Sequence, residues 1–171
     1  MKMMMAGLGL ATVFLLGSCT GDPAISDIGY RGTWVRQNGR VVSRIAIARQ
    51  GDRYLFRWTK YAQDADFHVL CEWDGRCEEW RHGRKEAEYQ FTTATDPKTG
   101  RVLVECFETR LLPALRKLHY VDELVVEPGG KTLWSYTIER DGETFESGKG
   151  PQRSFTKVAD SIADPPRRSP S

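Results

Sequence analysis

The sequence predicts an all-β fold: an antiparallel up-and-down barrel of eight to ten strands, with one short helix near 110–118. Three observations lead there. Turn-forming pairs such as Gly51-Asp52, Gly129-Gly130 and Asp141-Gly142 recur about every ten residues, the rhythm of consecutive hairpins. Between them apolar and polar residues alternate with period two, as in strands that bury one face. The links are short, whereas a two-sheet sandwich, the second candidate, calls for longer crossovers. Closing the sheet on itself removes the edges that a meander would otherwise expose.

The chain begins with Lys2, an uncharged apolar run over 6–16, and Leu16-Gly17-Ser18-Cys19. That run is about a dozen residues, short of the ~20 that span a bilayer, and its flanks follow the order of a cleaved secretory signal. Leu16-Gly17-Ser18-Cys19 resembles the lipobox of bacterial lipoproteins. The resemblance implies diacylglyceryl transfer to the Cys19 thiol, cleavage before it, and acylation of the new amino terminus. Residues 1–18 are then the signal peptide, 19–29 the lipidated cysteine and tether, 30–158 the β-barrel domain, and 159–171 a disordered tail containing Pro165, Pro166 and Pro170. The membrane is the partner so implied, through the anchor, and the location is the cell envelope. Thr20 after the cysteine resembles the outer-membrane class of Gram-negative lipoproteins, which would face the periplasm.

The first strand is expected over 30–37. In the hairpin over 44–59, a two-residue turn at Gly51-Asp52 sets Ile47 against Phe56 and Ile45 against Trp58, so branched residues meet aromatics across the pair. Further strands are expected over 67–73, 76–82, 87–95 and 101–109. Residues 128–131 close one hairpin and Asp141-Gly142 the next, and on the strands they join Val125, Trp134, Tyr136, Ile138 and Phe145 share a face. Over 109–118, Leu111, Leu112, Leu115 and Leu118 form a helical stripe with Arg116 and Lys117 off it, and Pro113 suits a first turn. Gly32-Thr33-Trp34 in the first strand resembles the Gly-x-Trp motif of the lipocalin and lipocalin-like families, some of whose bacterial members are lipoproteins. That resemblance implies a barrel for small apolar molecules, with Trp34 as a plug at its closed end.

Export implies an oxidising compartment, where Cys71, Cys77 and Cys106 are disulfide material. A three-residue loop at Trp73-Asp74-Gly75 brings Cys71 opposite Cys77, in the close kind of cross-strand pair. A two-residue Asp-Gly turn instead sets Cys71 against Glu78 and Val69 against Trp80, and keeps the thiols apart. The first register is favoured because it also pairs Glu72 with Arg76. Cys106 is then a buried free thiol. His68, Cys71, Cys77 and His82 could be drawn as a zinc set, but their spacing is not that of a zinc knuckle and oxidation competes for both thiolates. No metal and no cofactor are expected.

A formal charge of +2 lacks the basic surplus that phosphate backbones require, so no nucleic-acid partner is expected. There is no Gly-x-Ser-x-Gly elbow, no His-Glu-x-x-His and no phosphate-cradling glycine loop, and no residue is assigned a catalytic role. Glu78, Glu79, Glu86 and Glu88, interspersed with Arg76, Arg81, Arg84 and Lys85, read as a solvated sheet face. The functional expectation is a membrane-anchored module for a small apolar or lipid-like ligand. Ile47, Phe56 and Trp58 form one wall of the site, and Trp134, Tyr136 and Phe145 the other. The alternative is a structural or assembly lipoprotein of the envelope with a filled core. The sequence names no protein partner. Cys19→Ser should leave the exported protein unprocessed or soluble on membrane fractionation; tight membrane retention of that variant after full cleavage would count against lipidation.

Overall fold

The computed structural model describes residues 29–62, 66–146 and 148–160. The expectations for the signal peptide, for Cys19 and its lipid, and for 161–171 lie outside the described residues.

Eleven strands follow in order: β1 Gly32–Asn38, β2 Val41–Gln50, β3 Arg53–Ala62, β4 Phe67–Cys71, β5 Arg76–Arg81, β6 Arg84–Thr95, β7 Val102–Arg110, β8 Arg116–Val126, β9 Thr132–Arg140, β10 Glu143–Thr144 and β11 Gln152–Ala159. Each of β1 to β9 pairs antiparallel with the next. The ring closes through β11, which lies between β9 and β1. The result is a closed antiparallel barrel of ten strands. β10 pairs with the last residues of β9, and β11 with its earlier ones, so the two lie end to end along one edge of that strand.

The β2–β3 hairpin has the register that its turn predicts, with Ile47 opposite Phe56 and Ile45 opposite Trp58. The same agreement holds for the cysteines. Cys71 faces Cys77 with Cα atoms 4.0 Å apart and their sulfurs bonded, and the Glu72 N–H donates to the Arg76 carbonyl across the loop mouth. Gly75 sits there at φ 85°, and a Cβ on it would lie 2.1 Å from the Phe91 carbonyl oxygen, so no other residue fits this loop without displacing β6.

No helix is found among the described residues, which corrects the expectation for 110–118. Thr109 and Arg110 end β7, residues 111–115 form a link with a cis Leu112–Pro113 bond, and β8 begins at Arg116. Pairing decides the matter: Arg110 meets Arg116 and Glu108 meets Leu118, so the neighbouring strand takes the backbone groups that a helical turn would have satisfied internally. The leucine stripe is broken up, and Leu115 is 70% exposed.

One end of the barrel is sealed. Trp34 is fully buried there, its indole N–H donating to the Tyr30 carbonyl, while the Tyr30 hydroxyl crosses to the Leu124 carbonyl at 2.7 Å. Tyr54 packs edge-on to Tyr30. Ile47, Leu124, Leu133 and Phe155 fill the layer behind them. The Lys157 ammonium lies 5.1 Å from the Trp34 ring centre. Gly32 gives this seal its closeness, because a Cβ there would stand 2.5 Å from the Ala159 carbonyl oxygen on β11. Trp34→Ala should cost about 3–5 kcal/mol, the range for emptying an aromatic site in a core, and urea denaturation would measure it.

Candidate functional site

Above the sealed layer the inner wall changes character. β9 turns Leu133, Ser135 and Thr137 inward, all buried, and leaves Trp134, Tyr136 and Ile138 on the outer side. Phe145 joins that outer face, its N–H bonded to the Ile138 carbonyl. Trp134 stacks on Tyr136 and donates its indole N–H to an exposed Glu127 carboxylate at 2.5 Å. Ile47, Phe56 and Trp58 face the interior, whereas Trp134, Tyr136 and Phe145 share a face as expected, but it is the outside. Two of the inward positions of β9, Ser135 and Thr137, are small and polar because they serve a polar neighbour, Asp122.

Asp122 on β8 accepts from the Ser135 hydroxyl at 2.9 Å and from the Thr137 hydroxyl at 2.8 Å. The Arg153 guanidinium on β11 donates to the same carboxylate at 2.8 Å. A second cluster lies on β5, β6 and β7. The Tyr89 hydroxyl donates to Glu79 at 2.5 Å, and Arg110 forks onto Glu108 and lies 3.7 Å from Glu79. Glu79, only 4% exposed, is the exception among the carboxylates expected on a solvated face. Glu78 and Glu88 do lie outside, bridged by Lys85. Position within the strand carries the signal that was missed: Glu79 shares the parity of Cys77, which is turned inward.

An aromatic belt joins the two clusters. Trp58 meets Tyr89 and Phe91 edge-on at 5.7 and 6.0 Å, and Phe56 leans on Phe91 at 5.4 Å. Between the belt and Asp122 lies a cavity of about 30 Å³, room for one or two water molecules rather than an acyl chain. Toward the open end a wider cleft of about 280 Å³ starts at Trp58 and Arg153 and continues past Ser43 and Lys60 to Arg36 and Asn38. Burial pushes the Lys60 ammonium below its ordinary range; Glu79 opposes that shift, and Arg153, Arg81 and Arg110 add to it.

The thiolates of the drawn zinc set are spent in the Cys71–Cys77 bond, and His68 lies on the opposite face of β4 from Cys71. No group of three or more metal-ligating side chains occurs among the described residues. Cys106 is a buried free thiol facing the interior, where burial pushes it up to about 12. Tyr89 and Tyr120 are raised as well, burial first in each; the hydrogen bond to Glu79 adds in one and the neighbouring Cys106 in the other.

No protein-family model, curated protein or solved structure matches the chain.

The raised thiol sets a pH dependence. The folded state holds the Cys106 proton more tightly than the unfolded chain, so its contribution to stability is complete below the ordinary thiol value of 9.0 and is lost between there and about 12. Urea midpoints should fall as pH rises from 8 to 11, less steeply in Cys106→Val, and iodoacetamide should reach Cys106 only after unfolding.

Proposed function

We propose that this protein is a membrane-anchored envelope lipoprotein whose barrel binds a small apolar or lipid-like ligand through its open end. Support for the anchor is the run 6–16 and its ending at Cys19. Support for the ligand is the asymmetry of the barrel. One end is stoppered by Tyr30 and Trp34, and the other holds a cleft with Trp58 at its floor. That cleft carries the reading: it is concave, has an aromatic base, and is set with a few polar groups that would orient a guest. The Gly32-Thr33-Trp34 resemblance to lipocalin-like barrels points the same way.

A specific observation favours a second reading. The central cavity of about 30 Å³ is too small for a chain-like ligand, as in a structural or assembly lipoprotein with a filled core. Titrating the full-length Cys19→Ser chain with a fluorescent fatty-acyl probe separates the two. Ligand binding predicts saturable energy transfer from tryptophan to the probe, most of it abolished by Trp58→Phe. Unchanged emission, together with a loss of about 3–5 kcal/mol in Trp58→Ala, would establish the filled core instead.

A further inference from the structure

The cleft at the open end contains a row of positive charge. Arg36 stands opposite Ser43, and Ser43 opposite Lys60, so β1, β2 and β3 present these three side chains in one line across the inner wall. Arg153 adds a third cation to the lining, and no carboxylate belongs to it. Elsewhere on the inner wall the fold meets cations with acids: Arg153 with Asp122, and Arg110 with Glu79 and Glu108. Arg36 and Lys60 make no ion pair or hydrogen bond among the described residues.

Such a row is costly for an empty wall. Like charges along one cross-strand line repel, and partial burial has stripped Lys60 of some of its water. The rings of Trp58 and Phe67 face its ammonium, at 5.9 and 5.3 Å from their centres, and the Glu79 carboxylate acts on it without a direct ion pair. The spacing suits a guest. Strands two apart lie about 10 Å from each other, so a long arginine and a long lysine can converge on one group above the intervening serine. Ser43 already accepts the Trp58 indole N–H at 2.7 Å, which leaves its own proton to donate.

We propose that Arg36, Ser43 and Lys60 form a recognition site for a single anionic group, a carboxylate or a phosphate, on an amphiphile whose apolar part rests against Trp58. This deepens the ligand-binding reading and rests on it for the apolar part alone. A group arriving there gains two charge-assisted contacts and relieves the repulsion between its hosts. The site selects headgroup charge, while the aromatic floor accepts hydrocarbon with little regard to its detail.

Isothermal titration of the full-length Cys19→Ser chain with dodecanoate, dodecyl phosphate and dodecanol, each below its micelle or solubility limit, tests this. The two anions should bind about ten-fold or more tighter than the alcohol, the scale of one hydrogen bond to a charged group, and their ratio identifies the preferred headgroup. Lys60→Met and Arg36→Gln should each remove most of that preference, bringing the two anions toward the affinity of dodecanol for the same variant. Lys60→Met should melt no lower than the parent, which shows that it folds. Equal binding of anions and alcohol would overturn the anionic site and leave the barrel reading standing. If no amphiphile binds but inorganic phosphate shifts the amide resonances of Arg36, Ser43 and Lys60, the site stands and the apolar-ligand reading fails. Silence in every titration would overturn both.

Discussion

The structure depends on one closure, the insertion of β11 between β9 and β1. Nine strands in simple succession would leave β1 and β9 as open edges, each with a row of unpaired N–H and C=O groups. β11 satisfies both and in doing so defines an inside. Only then does the Tyr30 hydroxyl find the Leu124 carbonyl on the far wall, and Trp34 a place free of solvent. The seal, the aromatic belt and the polar clusters are consequences of a ring that is complete. A defect at the β11 seam would be felt across the whole interior.

Closure also fixes what the interior can tolerate. The sealed end is filled with Ile47, Leu124, Leu133 and Phe155, side chains that need no partners. Further along, carboxylates appear, each joined to hydroxyls or guanidinium groups: Asp122 to Ser135, Thr137 and Arg153, and Glu79 to Tyr89 and Arg110. Low dielectric strengthens these contacts and penalises any that are left unmade, so the networks hold only while every member is present. The barrel thus runs from an oily floor to a charged rim.

Much of this was legible where local rules suffice. A tight turn and a two-residue period fixed the partners Ile47–Phe56 and Ile45–Trp58, and the pairing of Glu72 with Arg76 alongside the two thiols favoured one of two registers for Cys71 and Cys77. The errors arose where distant strands overrule local pattern. Trp134 and Tyr136 look like core residues beside Ser135 and Thr137, yet the smaller pair is inside because Asp122 and Arg153, on other strands, require it. Glu79 was hidden among surface acids for the same reason, its partner Arg110 lying thirty-one positions later in the chain. The leucines over 111–118 carry a sound helical stripe that β7 outbids by offering a complete set of hydrogen bonds.

The seal at Tyr30 and Trp34 also gives the molecule a direction. β1 starts beside the stopper and runs toward the rim at Asn38, and β11 runs back to end at Ala159, paired with Thr33. Both ends of the domain therefore leave from its blunt pole. The cleft opens on the opposite side, separated from that pole by the length of a strand such as β2, about 30 Å. Under the proposed anchoring at Cys19 the domain would turn its back on its own support. Under that proposal its ligand would exchange with the surrounding fluid, or with a facing surface, in preference to the bilayer beneath it.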